Sequence, residues 1–173
     1  MPSKRLGLSA LVGTLLCVCT VFPSEPSRSA PGLTEVELKA VFLLRLPQFV
    51  SWPDQTAATI FCVAESSEVS ALLSDMVASE PKGREVRAIA PGQVSGCDVV
   101  YGQGPEAVSQ SSDQMLWVSD QPGFATEGGM VELRRRGARM GLVVNVAVLE
   151  SAGLKASSKL LQLAEVVGEA RDE

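Results

Sequence analysis

The sequence contains no histidine. Histidine is the base in Ser-His-Asp and Cys-His catalysis and the commonest metal ligand in proteins, so its absence excludes both catalytic arrangements and removes the usual metal donor. Acid–base chemistry would then fall to Asp, Glu, Lys or the single tyrosine, Tyr101. No such constellation is recognisable. We therefore predict that the protein is not an enzyme, with no catalytic residues, no metal and no cofactor.

Basic residues are also in the minority. The sequence has 15 Lys and Arg and 20 Asp and Glu, and its net charge is −5. An acidic chain repels phosphate backbones, which argues against nucleic acid as a partner. Cleavage of the first 30 residues would make the chain more acidic still, because Lys4, Arg5 and Arg28 would leave with only one acid, Glu25.

Long uncharged runs are missing except near the start. Lys4 and Arg5 precede an uncharged stretch from Leu6 to Phe22, and a segment rich in Pro and Ser follows. This pattern predicts a secretory signal peptide over residues 1–30 and a periplasmic location. A retained membrane anchor and a lipidated cysteine are the alternatives. Residues 31–173 are predicted to form a single domain.

Cysteines are few, and two of the four lie within the predicted signal peptide. Cys62 and Cys97 remain, and in an oxidising compartment they can form one disulfide with no thiol left over. Two separate buried thiols are the alternative. Two cysteines without histidine cannot complete a tetrahedral zinc site.

The remaining pattern predicts an α/β fold: a mixed β-sheet of about five to six strands covered by helices. Thr34 and Glu37 form a capping box ahead of an apolar helix. Asn145 is expected to cap a short helix, and Ser157 a final helix that extends through Val167. Strands are predicted over residues 59–65, 84–90, 98–101 and 114–118, and in a hairpin formed by 130–133 and 139–145.

Several segments together resemble a known family. They are Glu37–Leu43, Phe49–Pro53, Ile60–Val63, Gly128–Met130, Asn145, Ala152–Leu161 and Leu163–Ala164. Their order and spacing over residues 34–167 are similar to those of the YfiR family of periplasmic repressors. Each fragment alone is weakly specific, and the combination carries the resemblance.

The resemblance implies a regulator that represses the periplasmic sensor part of an inner-membrane diguanylate cyclase, and so lowers cyclic di-GMP and biofilm formation. An OmpA-type outer-membrane lipoprotein can sequester such a repressor, and family members are commonly homodimers. The family's disulfide maps onto Cys62 and Cys97, whereas the second cysteine pair that some members carry has no counterpart here. A periplasmic small-molecule-binding sensor is the alternative function.

A turn between the last two predicted helices is the candidate partner-binding surface. It contains Glu150, Leu154, Lys155 and Ala156, and the caps on either side would fix its shape. The alternative is that Leu154 packs beneath the last helix.

Three aromatic residues near the start of the domain suggest a second surface. Phe42, Phe49 and Trp52 could line a groove for a ligand or a partner. The favoured alternative is that they pack the first helix onto the sheet, with Trp52 only partly buried.

Overall fold

The computed structural model describes residues 32–53, 60–64, 67–80, 83–102, 104, 114–137 and 139–168. Its elements, in chain order, are α1 (Glu35–Arg45), a 3-10 turn (Leu46–Phe49), β1 (Val50–Ser51), β2 (Ile60–Ala64), α2 (Val69–Ala78), β3 (Glu85–Ile89), β4 (Val99–Tyr101), β5 (Leu116–Ser119), β6 (Val131–Arg136), β7 (Arg139–Asn145), α3 (Val146–Ser151), β8 (Lys155–Ala156), α4 (Ser158–Leu163) and β9 (Glu165–Val167). The predicted signal peptide lies outside the described residues.

Helix α1 begins with the predicted capping box. The Thr34 hydroxyl accepts a hydrogen bond from the Glu37 amide at 3.3 Å, and the Glu37 carboxylate accepts one from the Thr34 amide at 2.6 Å. Pro47 cannot donate a backbone hydrogen bond, so the α-helix ends and the chain continues as the 3-10 turn. The helix buries Leu43 and Leu44 against the sheet.

The described strands form a seven-stranded sheet in the order β3-β2-β4-β5-β6-β7-β9. Neighbours pair in parallel except β6 and β7, which pair antiparallel. A separate two-stranded sheet joins β1 to β8. The predicted mixed α/β class is confirmed, with slightly more strands than expected. β3 lies at one edge of the large sheet, as its alternating pattern indicates.

The predicted hairpin is formed by β6 and β7, with Arg136 opposite Arg139. Gly137 occupies the turn with a φ of 62°, a conformation that favours glycine. Side chains alternate between faces along β6, so the three consecutive arginines do not form one cluster. Arg134 and Arg136 both contact Glu165, whereas Arg135 contacts Glu35 of α1.

The end of the chain differs from the prediction of one long helix. Helix α4 starts after the predicted Ser157 cap but ends at Leu163, and Ala164 is extended with φ −102° and ψ 157°. Residues Glu165–Val167 then form β9, which pairs in parallel with β7. Two consecutive β-branched valines favour a strand, and the open edge of β7 supplies the hydrogen bonds, so the helical prediction for this segment is wrong.

Cys62 in β2 is bonded to Cys97, just before β4. The two Cα atoms are 5.8 Å apart, and both cysteines are buried in the hydrophobic core. The disulfide therefore ties together the two adjacent central strands. In the described part of the chain, no helix combines the length and apolar character needed to cross a bilayer.

Candidate functional site

An apolar groove lies where α1, the 3-10 turn, β7 and α4 meet. Its volume is about 160 Å³, and the residues that shape it include Phe42, Phe49, Leu142, Leu160 and Leu163. Phe42 and Phe49 are thus brought together in one groove. Each is partly buried, so these rings both pack against the core and form the groove walls.

The groove is open to a partner and has a basic rim. Leu163, which lines the groove, is 71% exposed. The Lys159 ammonium lies 5.7 Å from the centre of the Phe49 ring, within cation–π range. Arg45 also borders the groove and pairs with Glu80 at 3.3 Å.

Trp52 does not join this groove. Only 7% of Trp52 is exposed, and its indole Nε1 donates a hydrogen bond to the backbone oxygen of Gln114 at 2.8 Å. The indole is therefore a buried packing residue with a satisfied donor, and the expectation that it is only partly buried is corrected.

The turn between α3 and α4 presents charge rather than apolar surface. Leu154 is fully buried, so it packs into the core and does not present an apolar side chain to a partner. Its amide donates to the Leu149 oxygen at 3.0 Å, and pairing of β8 with β1 draws the turn onto the core. Glu150 and Lys155 are exposed, and Ala156 is half-buried.

A second, polar cavity of about 280 Å³ lies at the carboxyl ends of β2, β4 and β5. Its wall contains Lys39, whose ammonium binds the carboxylates of Glu35 at 2.6 Å and Asp120 at 2.7 Å. Tyr101 lies beside them in the wall of the same cavity. The sequence analysis missed this group, although polar residues directly after parallel strands are the signal that could have located it.

The ionisable groups of this cavity have shifted pKa values. Burial alone would lower the pKa of Lys39, but hydrogen bonds to Asp120 and Glu35 outweigh that effect and raise it. Hydrogen bonds from Lys39 and Arg135 lower the pKa of Glu35. Burial, followed by the negative charge of Asp120, raises the pKa of Tyr101 well above its usual value.

We expect the single tyrosine to ionise only when the protein unfolds. The pKa of Tyr101 is higher in the folded state than the ordinary value of 10, so stability present below pH 10 is lost as the pH rises above it. In an alkaline titration, tyrosinate absorbance and the loss of circular dichroism should share one transition. Tyrosinate forming at pH 10 with the native spectrum intact would contradict this.

A neighbouring cavity of about 430 Å³ shares Lys39 and Asp120 with the polar cavity. Its wall includes Glu132, a buried carboxylate paired with Arg134 at 2.8 Å. The same carboxylate accepts a 3.4 Å hydrogen bond from the Ala125 amide. The Glu132 carboxylate therefore has protein partners for its charge and hydrogen bonds. Among the described residues, no group of three acidic or cysteine side chains could hold a metal ion.

Two solved structures are similar to this chain. The ABC domain from Streptococcus pneumonia in complex with L-Trp has a TM-score of 0.51 and 14% identity over 74% of this chain and 60% of that one. A conserved domain protein from Vibrio cholerae has a TM-score of 0.47 and 14% identity, covering 78% of this chain and 60% of that one. The chain therefore spans about three-fifths of each, and the first likeness shows the fold alone. A search of curated proteins found no match.

The sequence profile of a protein family matches residues 36–165, described as YfiR/HmsC-like. The matched range runs from the first turn of α1 through both cysteines and the hairpin to the start of β9. Because the match covers most of the described domain and most of the full sequence, the chain belongs to the YfiR/HmsC-like family.

Proposed function

We propose that this protein is exported by its signal peptide and represses an inner-membrane diguanylate cyclase by binding the periplasmic sensor part of that enzyme. Repression lowers cyclic di-GMP and biofilm formation. The observation that carries this proposal is the apolar groove with Leu163 exposed at its mouth. An open apolar surface of this kind is typical of a site that binds another protein.

Repression of this kind needs no active site. A regulator shifts a conformational equilibrium when it binds the inactive state of its partner more tightly than the active state. A 100-fold difference in affinity corresponds to about 2.7 kcal/mol, enough to change the active fraction strongly.

The groove also suggests the chemistry of its partner. Its walls are apolar, and Lys159 places positive charge at the rim of an otherwise acidic protein, whereas Arg45 at the same rim is paired with Glu80. We expect the cyclase to insert an apolar segment flanked by acidic residues, because opposite charges steer association and fix the register of binding.

The turn between α3 and α4 contributes to the same proposal in a different way. Glu150 and Lys155 are exposed and Ala156 is half-buried, so this surface is suited to polar contacts with a partner. Leu154 supports the turn from within. An OmpA-type outer-membrane lipoprotein that sequesters the repressor, and a homodimeric state, complete the proposed assembly.

Deletion of the gene in a strain that expresses the cyclase should raise cyclic di-GMP and surface attachment. Wild-type protein supplied in trans should reverse both effects, whereas Leu163→Asp should fail to, because a carboxylate would enter an apolar contact. Leu163 is largely exposed, so we expect folding to be retained. Cyclic di-GMP is measured in cell extracts.

Leu33→Asp is the matched control, since Leu33 is 58% exposed and lies outside the groove. It should complement like the wild type, and thermal melting should show both variants to be folded. Unchanged cyclic di-GMP in the deletion strain would refute the regulatory proposal. Full complementation by Leu163→Asp would instead show that the groove is not the docking surface.

A further inference from the structure

We propose that the polar cavity at the carboxyl ends of β2, β4 and β5 binds a small organic cation, a primary amine. This goes beyond the proposed function, and its test needs no cyclase, so the two can fail separately. The cavity volume of about 280 Å³ is near the lower end of the range for small-molecule sites.

The position of the cavity in the sheet is the first argument. From β2 the chain crosses through α2 to β3 on one side, whereas β4 and then β5 lie on the other side of β2. The strand order therefore reverses between β2 and β4. In open α/β sheets, ligands bind in the crevice at the carboxyl ends of the strands at such a reversal. Ala64, Gly102 and Asp120 place the cavity there.

The charge of the wall is the second argument. Among the described residues that line the cavity, one is a cation, Lys39, and two are carboxylates, Glu68 and Asp120. Lys39 is already paired with Glu35 and Asp120, whereas Glu68 has no ion-pair partner in the part of the chain that the structure describes. The amino end of α2 adds only about half a positive charge, so the cavity favours a cation over an anion.

The cavity and the apolar groove share helix α1. Val36 and Lys39 face the cavity, whereas Phe42 and Arg45, further along the helix, face the groove. Lys39 ties α1 to Asp120 at the end of β5. An ammonium ligand would compete with Lys39 for the Asp120 carboxylate. Binding of the ligand would therefore weaken the ion pair that holds α1 to the end of β5.

Isothermal titration of the purified full domain with putrescine tests the proposal. We expect saturable binding of one molecule per chain. Butanediol has the same length without charge, and succinate has the opposite charge, so neither should bind. Lack of saturable putrescine binding, or equal binding of butanediol or succinate, would overturn the proposal.

Glu68→Gln and Asp120→Asn should each weaken putrescine binding by about tenfold or more, since each removes one charge-assisted hydrogen bond. Asp75→Asn is the matched control, because Asp75 is an exposed carboxylate of α2 outside the cavity. It should bind like the wild type. Circular dichroism verifies folding of each variant. If Glu68→Gln binds like the wild type, or if Asp75→Asn weakens binding equally, the cavity is not the site.

Discussion

Replacement of Cys62 or Cys97 by Ser is expected to lower the free energy of unfolding by about 2–5 kcal/mol. The disulfide joins positions 35 residues apart, and restriction of a loop of that length in the unfolded chain corresponds to about 4 kcal/mol in the chain-entropy account. Both side chains are buried in the core, so a serine hydroxyl placed there would also lose its contact with water. Urea unfolding followed by circular dichroism measures the change.

The double variant provides the control for this prediction. Once one cysteine is replaced the disulfide is absent, so removal of the second should add only the small effect of one more hydroxyl. Wild-type protein treated with a reductant should approach the stability of the variants. Full labelling of both thiols in unreduced, denatured wild-type protein would show that the bond does not form.

Leu154→Ala should destabilise the protein by about 2–5 kcal/mol, the usual range for a leucine truncated in a packed core. Leu154 is 0% exposed, so its removal leaves a cavity beneath the turn between α3 and α4. Leu163→Ala is the matched comparison, since 71% of that side chain is exposed, and it should change stability by less than about 0.5 kcal/mol. Urea unfolding of the two variants measures the contrast.

The same pair of variants separates packing from docking. Leu154→Ala should lose repression only to the extent that it unfolds, and lower temperature should restore it. Leu163→Ala should lose repression while folded. A wild-type unfolding curve for Leu154→Ala would mean that the turn does not pack on the core as described.

Local signals predicted much of the fold. The capping box at Thr34 and Glu37, the caps at Asn145 and Ser157 and the turn at Gly137 each depend on short-range hydrogen bonding or backbone conformation, which neighbouring residues determine. The prediction of the disulfide required only a count of cysteines, because only two of them follow the predicted signal peptide.

What could not be predicted depends on contacts between distant segments. Leu154 and Leu163 both follow helical or turn patterns, yet Leu154, next to the strand β8 that pairs with β1, is buried and Leu163 is exposed. Lys39 and Asp120 are far apart in sequence and meet because α1 crosses the end of β5. The β9 strand forms because β7 offers an open edge, which no local pattern reveals.

The small β1–β8 sheet has a consequence for how this family can diversify. Val50 pairs with Ala156, and the Ser157 amide donates to the Phe49 oxygen at 2.8 Å, so backbone hydrogen bonds connect the wall of the groove that carries Phe49 to the start of α4, which carries Leu160. These backbone hydrogen bonds do not depend on which side chains face the groove, so they hold the two walls together even when those side chains are replaced. Those side chains can therefore change to suit a different binding partner while the backbone that connects the two walls stays the same.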